Sequence, residues 1–160
     1  MIEVRPAVPA DDRVLLGIDA ETWSTAVTPA PRRPERHRFF AAEEVPSDVL
    51  VAERDGQVVG YVRLNQAIRL PSHRHVLEVN GLAVAPHAQG GGVGRALVEC
   101  AKHEAGHRGA SKLTLRVLGG NTGARRLYES CGFVVEGVLT GEFRLAGELV
   151  DDVLMACSLG

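Results

Sequence analysis

Gln89-Gly90-Gly91-Gly92-Val93-Gly94 constrains this chain more than any other stretch. A run of apolar and β-branched residues, Val76 to Val84, precedes it and reads as a strand. Val93, Ala96, Leu97, Cys100 and Ala101 then recur on one face of a helix expected from about Val93 to His107. Lys112 to Val117 alternates as the next strand. A strand, a crossover helix and a second strand make a βαβ unit, so this part of the sheet is expected to be parallel.

The remaining elements extend that unit. Ile2 to Arg5 reads as a strand, and Pro9-Ala10-Asp11-Asp12 as a helix start with Asp as N-cap, followed by Val14, Leu15 and Ile18 at helical spacing. Ser24 to Arg36, with Pro29, Pro31 and Pro34, reads as a loop, and Arg36 to Glu44 as a short amphipathic helix. Val49 to Arg54 and Gln57 to Leu64 flank Asp55-Gly56, a favoured two-residue hairpin turn. Asn121 to Ser130 reads as a helix stopped by Gly132, and Phe133 to Phe143 and Glu148 to Ser158 as strands joined around Ala146-Gly147. The order β-α-α-β-β-β-α-β-α-β-β predicts a mixed α/β (α+β) sheet with helices on both faces.

Composition narrows the function classes. A chain of 160 residues, 45% of them hydrophobic, can bury a core without disulfides or a structural metal, and is expected to be a single domain over 1–160. The net charge of -2 gives no field that would attract nucleic acid or an anionic membrane. The N-terminus has no apolar signal core, and no apolar run is long enough to span a bilayer. Cys100, Cys131 and Cys157 are odd in number, widely spaced and set among apolar neighbours, which reads as reduced thiols and a cytoplasmic location.

Glycines between a strand and a helix let successive backbone N–H groups converge, and the helix N-terminus adds unpaired donors and its positive dipole end. The result suits a phosphate or pyrophosphate. A tight turn that binds nothing explains the same glycines, and the turn alone leaves both readings open. Two phosphate motifs are excluded in detail. Arg95-Ala96 follows Gly94 where a P-loop needs Lys and Ser or Thr, and the G-x-G-x-x-G spacing with an acid closing the next strand is absent.

Leu82-Ala83-Val84-Ala85-Pro86-His87-Ala88 followed by the glycine turn and Arg95-Ala96-Leu97 resembles the acetyl-CoA motif of the GNAT superfamily of N-acetyltransferases. Downstream, Asn121 followed by Leu127-Tyr128-Glu129-Ser130-Cys131-Gly132-Phe133 resembles that family's second signature. Both occur in the family's order, and the first strand and the Asp55-Gly56 hairpin are similar too, so the resemblance spans nearly the whole chain. It implies a GNAT fold, with a central mixed sheet of about seven strands flanked by about four helices, splayed between the cofactor strand and the following parallel strand.

The resemblance also implies a site. Acetyl-CoA would lay its pyrophosphate on the backbone of Gln89, Gly90, Gly91, Gly92, Val93, Gly94 and Arg95, and its pantetheine arm along Leu82, Ala83 and Val84. Asn121 would contact that arm, and the Val84 N–H would face the developing oxyanion. Tyr128 is the expected acid: amine attack on a thioester expels a thiolate, and a phenol keeps a proton to donate at neutral pH. Packing of an aromatic on a helix face is the plainer reading.

An alkylammonium must lose a proton before it attacks, and Glu78 falls where the histone branch of the family places its base. It would act directly or through water; a solvated or ion-paired strand glutamate is the alternative. Glu78, Asn80 and Leu82 share a face of an undistorted strand, a parity that a bulge would disturb. Relatives that place an acid on the next strand differ here, where Arg116 stands.

The expected reaction is acetyl transfer to a primary amine in a ternary complex, with no metal. The acceptor is a small molecule or a peptide amine. A protein N-terminal or lysine acetyltransferase, and a non-catalytic acyl-CoA sensor, are the alternatives; the presence of both Tyr128 and Glu78 argues against the sensor. Last strands often pair across dimers in relatives, so a homodimer is open.

His103-Glu104-Ala105-Gly106-His107 matches the zincin pattern, but no histidine follows to complete a ligand set, and glycines end the helix there. Arg32, Arg33, Arg36, His37 and Arg38 read first as a solvated loop, and His73 and His75 as surface residues. Trp23 lines the acceptor pocket or packs the first helix, and Phe143 with the Arg144 to Glu148 turn is expected to form the other acceptor wall.

Overall fold

A computed structural model describes residues 1–41 and 44–160. The strands are β1 (Ile2–Pro6), β2 (Val49–Arg54), β3 (Gln57–Asn65), β4 (Val76–Val84), β5 (Lys112–Leu118), β6 (Val134–Leu145) and β7 (Glu148–Ser158). The α-helices among the described residues are α1 (Asp12–Thr22), α2 (Val93–His107) and α3 (Thr122–Ser130). One sheet runs β1-β2-β3-β4-β5-β7-β6. Its β4–β5 pair is parallel, as the βαβ reading requires, and the other neighbours are antiparallel.

The two short hairpins follow from their turn residues. Asp55 and Gly56 take φ of 54° and 78°, and Ala146 and Gly147 take 51° and 81°, the doubly left-handed pattern whose twist matches paired strands. α1 covers one sheet face, where Leu15, Ile18, Phe39, Val51, Tyr61 and Ala85 form a core. α2 and α3 cover the other, where Leu97, Val98 and Ala101 meet Leu64, Val79, Leu115 and Met155. Each such side chain withdrawn from water contributes about 1.5–3 kcal/mol, which is what holds the helices on the sheet.

Three expectations need correction. The helix expected over Arg36–Glu44 is not seen among the described residues: 36–41 are irregular, with bends at Phe39 and Phe40, while Ala42 and Glu43 lie outside the described residues. Among the described residues three α-helices therefore flank the sheet, where about four were expected. The segment is held by side chains instead. The Asp12 carboxylate accepts the N–H groups of Phe39 (3.0 Å) and Phe40 (2.9 Å), which fixes buried Phe39 under α1 without a helical ladder. Asp11 does precede α1, but its carboxylate caps no helical N–H. It accepts the Val8 N–H and two bonds from Arg5. Val14 points outward at 40% exposure while Leu15 and Ile18 are buried, because the apolar stripe of α1 is narrower than the sequence suggested.

Candidate active site

β4 carries the feature around which the site is built. Leu64 pairs with Val79 and Val62 with Leu82, so β4 uses one more residue than β3 over this interval. The extra residue is a bulge at Asn80-Gly81, where Gly81 adopts φ of 120°. Parallel pairing to β5 runs from Val76–Lys112 to Val79–Leu115 and stops there. Beyond that rung, Arg116, Val117 and Leu118 pair with β7 alone. The strands part as expected, and Leu82, Ala83 and Val84 present an unpaired edge to the gap.

Backbone parity says what that edge offers. The Ala85 N–H donates to the Val59 carbonyl at 2.8 Å, so the Val84 N–H points the other way, into the gap. The Val84 carbonyl accepts from Gln89 Nε2 at 3.0 Å, which ties the glycine turn to the strand end. The bulge also reverses side-chain parity. Leu82 packs with the α2-side core, whereas Glu78 lies on the α1 face beside Asn65 and Thr114. The shared face of Glu78 and Leu82 in an undistorted strand is therefore lost.

Gly90 and Gly92 take φ of 80° and 86°, conformations that strain any residue with a Cβ. Gly92 is the N-cap of α2, and the first helical bond runs from the Ala96 N–H to the Gly92 carbonyl at 3.1 Å. The N–H groups of Val93, Gly94 and Arg95 are thus left without helical acceptors at the positive end of a helix of 15 residues. A Cβ on Gly94 would stand 3.1 Å from Leu127 Cδ2, so glycine lets α3 approach α2 at this point. Arg54, which the sequence did not single out, places Nη1 3.0 Å from where a Cβ on Gly91 would lie. Arg95 Nη1 reaches Ser130 Oγ at 3.4 Å. Two guanidinium groups therefore border the glycine turn. The strand end that carries Arg54 has no local sequence signal for this.

Tyr128 is buried in the α2-side core, edge-on to Phe133 with ring centroids 5.8 Å apart. Burial, with Cys131 beside it, pushes its proton affinity up to about 12. Glu78 is half-buried, and burial raises its carboxyl above the usual range while Arg116 pulls it back. The two residues lie on opposite faces of the sheet. Asn121 caps α3, its Oδ1 accepting the Ala124 N–H at 3.3 Å.

On the α1 face the Tyr61 hydroxyl donates to Asp19, whose other oxygen accepts Arg36 Nη1 at 3.1 Å. Arg36 also donates to the carbonyls of Arg38 and Phe39 and lies over the Phe39 ring. Arg32, Arg33, His37 and Arg38 are exposed, as the solvated-loop reading has it; Arg36 departs from it as a clamp. Trp23 donates Nε1 to the Ala30 carbonyl at 3.0 Å. His73 is half-buried and His75 exposed. Half-buried Phe143 pairs with Val150 across the last hairpin. His103 and His107 are exposed, and Glu104 is bound to Arg108 at 2.9 Å. Among the described residues no cluster of three His, Cys, Asp or Glu is placed to hold a metal, and no helix is long and apolar enough to cross a membrane.

Comparison with known proteins agrees with this architecture. The uncharacterized N-acetyltransferase YhfO of Bacillus subtilis is 37% identical over 91 residues, 57% of this chain and 61% of its own length. Phosphinothricin N-acetyltransferase of Alcaligenes faecalis is 37% identical over 110 residues, 66% of this chain and 54% of its own length. The chain thus spans little more than half the length of these relatives. The structure of YncA from Salmonella typhimurium, solved with its cofactor acetyl-CoA, superposes with a TM-score of 0.82 at 23% identity, covering 100% of this chain and 95% of that one. Residues 15–133 match the acetyltransferase (GNAT) family, which includes both the glycine turn and the Tyr128 segment, and the chain belongs to that family.

Proposed function

We propose that this protein transfers the acetyl group of acetyl-CoA to the primary amine of a small molecule, by direct attack in a ternary complex, within one catalytic domain acting in the cytoplasm. The observation that carries the reading is the open edge of Leu82–Val84 beside the strand gap, with Glu78 on one face and Tyr128 on the other. Pantetheine would add to that edge as a further strand. Its pyrophosphate would lie on the free N–H groups from Gln89 to Arg95, and its arm would pass Asn121, whose side-chain N–H group is not used by the cap.

The amine enters from the α1 face. Glu78, directly or through one water, takes the proton of the ammonium, and the amine nitrogen attacks the thioester carbonyl carbon. The Val84 N–H donates to the oxyanion. The C–S bond then breaks as the attacking nitrogen gives up its second proton to the departing sulfur, directly or through water, so that the products are the acetamide and the thiol of coenzyme A, and Glu78 releases the first proton to solvent. Tyr128 meets that sulfur. A phenol with proton affinity near 12 is a weaker acid than a thiol of about 8.5. Tyr128 therefore stabilises the departing sulfur chiefly as a hydrogen-bond donor, and it stays protonated at every working pH.

The relative named for acetylating phosphinothricin supports a small-molecule acceptor. The test is thiol release from acetyl-CoA with amino acids, polyamines, aminoglycosides and short peptides. Turnover with small amines supports the reading, and turnover confined to peptides replaces it with a protein acetyltransferase. Acetyl-CoA binding by calorimetry without turnover on any amine replaces it with a sensor.

A further inference from the structure

We infer that Arg116, anchored on Asp152, is a positioning residue that keeps Glu78 in its charged, proton-accepting form at the strand gap. This rests on the reading of Glu78 as the base. Glu78 and Thr114 are register partners, and Arg116 lies two residues further along the same face of β5, just past the last rung to β4. Its Nε donates to Asp152 Oδ2 at 2.6 Å, and its Nη2 donates to the same oxygen. Asp152 is only 2% exposed. A carboxylate so deeply placed requires a cationic partner, and the pair in turn holds the guanidinium where the strands separate.

Glu78 has no ion-pair partner among the described residues, and burial works against its charge. Of the other cations on this face, Lys112 of β5 pairs with Glu136 at 3.0 Å and Arg36 with Asp19, while Arg63 of β3 reaches Glu44 at 3.5 Å through Nη1 and lies over the Phe39 ring, its Nε and Nη2 without a hydrogen-bond partner among the described residues. The Tyr61 hydroxyl is given to Asp19. Glu142 of β6 stands 3.8 Å from Arg116 Nη2, an anion that stays with the arginine. Arg116, two residues along β5 from the register partner of Glu78 and on the same face, is placed so that its charge favours the ionised Glu78 carboxyl. When Glu78 accepts the ammonium proton it becomes a neutral acid.

Carboxyl-carbon NMR titration of the full chain tests this, with the Glu78 signal assigned by its disappearance in Glu78→Gln. Arg116→Met should raise the Glu78 midpoint by about 1 pH unit or more, the low end for a neighbouring opposite charge because Arg116 is half exposed. The acid limb of kcat/KM should move up with it. Arg116→Lys should restore most of both. A Glu78 midpoint unchanged in Arg116→Met overturns the inference, whatever happens to folding or to the turnover rate. The base reading is tested apart from it: if Glu78→Gln keeps the wild-type pH–rate profile, that reading fails, and the catalytic half of this inference with it.

Discussion

Val79 and Leu115 form the last rung between β4 and β5, and the bulge at Asn80-Gly81 begins one residue later. A continuous ladder would fill the sheet and leave no backbone donors for a ligand. One extra residue, at a glycine, detaches β4 from its neighbour, turns Leu82 to the α2 side and leaves Glu78 facing α1. The local rule of alternation is broken where the proposed reaction needs an opening.

Gly81 should therefore resist substitution for its backbone rather than for space. A Cβ there would stand 3.6 Å from Tyr61 Cε2, an ordinary contact, but φ of 120° is strained for a side-chain residue. Gly81→Val is expected to destabilise by about 1–3 kcal/mol, with Tm falling roughly 2–4 °C for each kcal/mol. It should also weaken acetyl-CoA binding as β4 is drawn toward a regular register. Thermal denaturation paired with calorimetry checks both, and unchanged stability would mean that the bulge tolerates a side chain.

Tyr128→Phe removes a hydroxyl to whose proton affinity no hydrogen bond contributes, and it keeps the ring against Phe133. Stability and acetyl-CoA affinity should hold, while kcat falls about 100-fold or more. Because burial holds the phenol's proton up to about 12, the wild-type rate should show no alkaline loss assignable to Tyr128 below about pH 10. Full activity in the variant would remove Tyr128 from the mechanism.

The strands, the two tight hairpins and the helix after the glycine turn were legible because each rests on local chemistry: alternation, paired positive-φ residues, and an apolar stripe. What could not be read depended on distant partners. Arg36 looked like one more solvated arginine until Asp19 and the Phe39 carbonyl were found beside it. Asp11 looked like a cap until Arg5 claimed it. The bulge position does have a local signal, Asn80-Gly81 within an otherwise apolar strand pattern, but strand alternation alone does not use it.

Arg54 offers a test of the anion site that spares the glycines. Its guanidinium lies on the Gly91 turn. Arg54→Met should lower acetyl-CoA affinity several-fold at low ionic strength, by about 1 kcal/mol, and the deficit should shrink as salt screens the charge. Calorimetry at two salt concentrations measures this. A salt-independent loss would point to a distorted turn instead.

Asp11 gives a stability prediction with a definite sign. Arg5 Nη1 donates to its carboxylate at 2.8 Å and Nη2 at 3.0 Å, and Arg5 with the Val8 N–H holds the carboxyl below its usual range. A folded-state value below the unfolded one, near 3.9, contributes stability that is present above about pH 4 and is lost as pH falls through the folded value. Asp11→Asn keeps the shape and one acceptor oxygen but deletes the charge. It should cost about 1–2 kcal/mol at pH 7, the lower part of the range for charged hydrogen bonds, because the Arg5 side chain is 34% exposed and solvent screens it. In urea denaturation the gap between wild type and variant should be widest from about pH 5 upward and should close as the pH falls through the folded-state value of Asp11. A gap that stays constant down to acid would mean that Asp11 acts through its shape and neutral hydrogen bonds, and that its charge contributes nothing to holding α1 on the sheet edge.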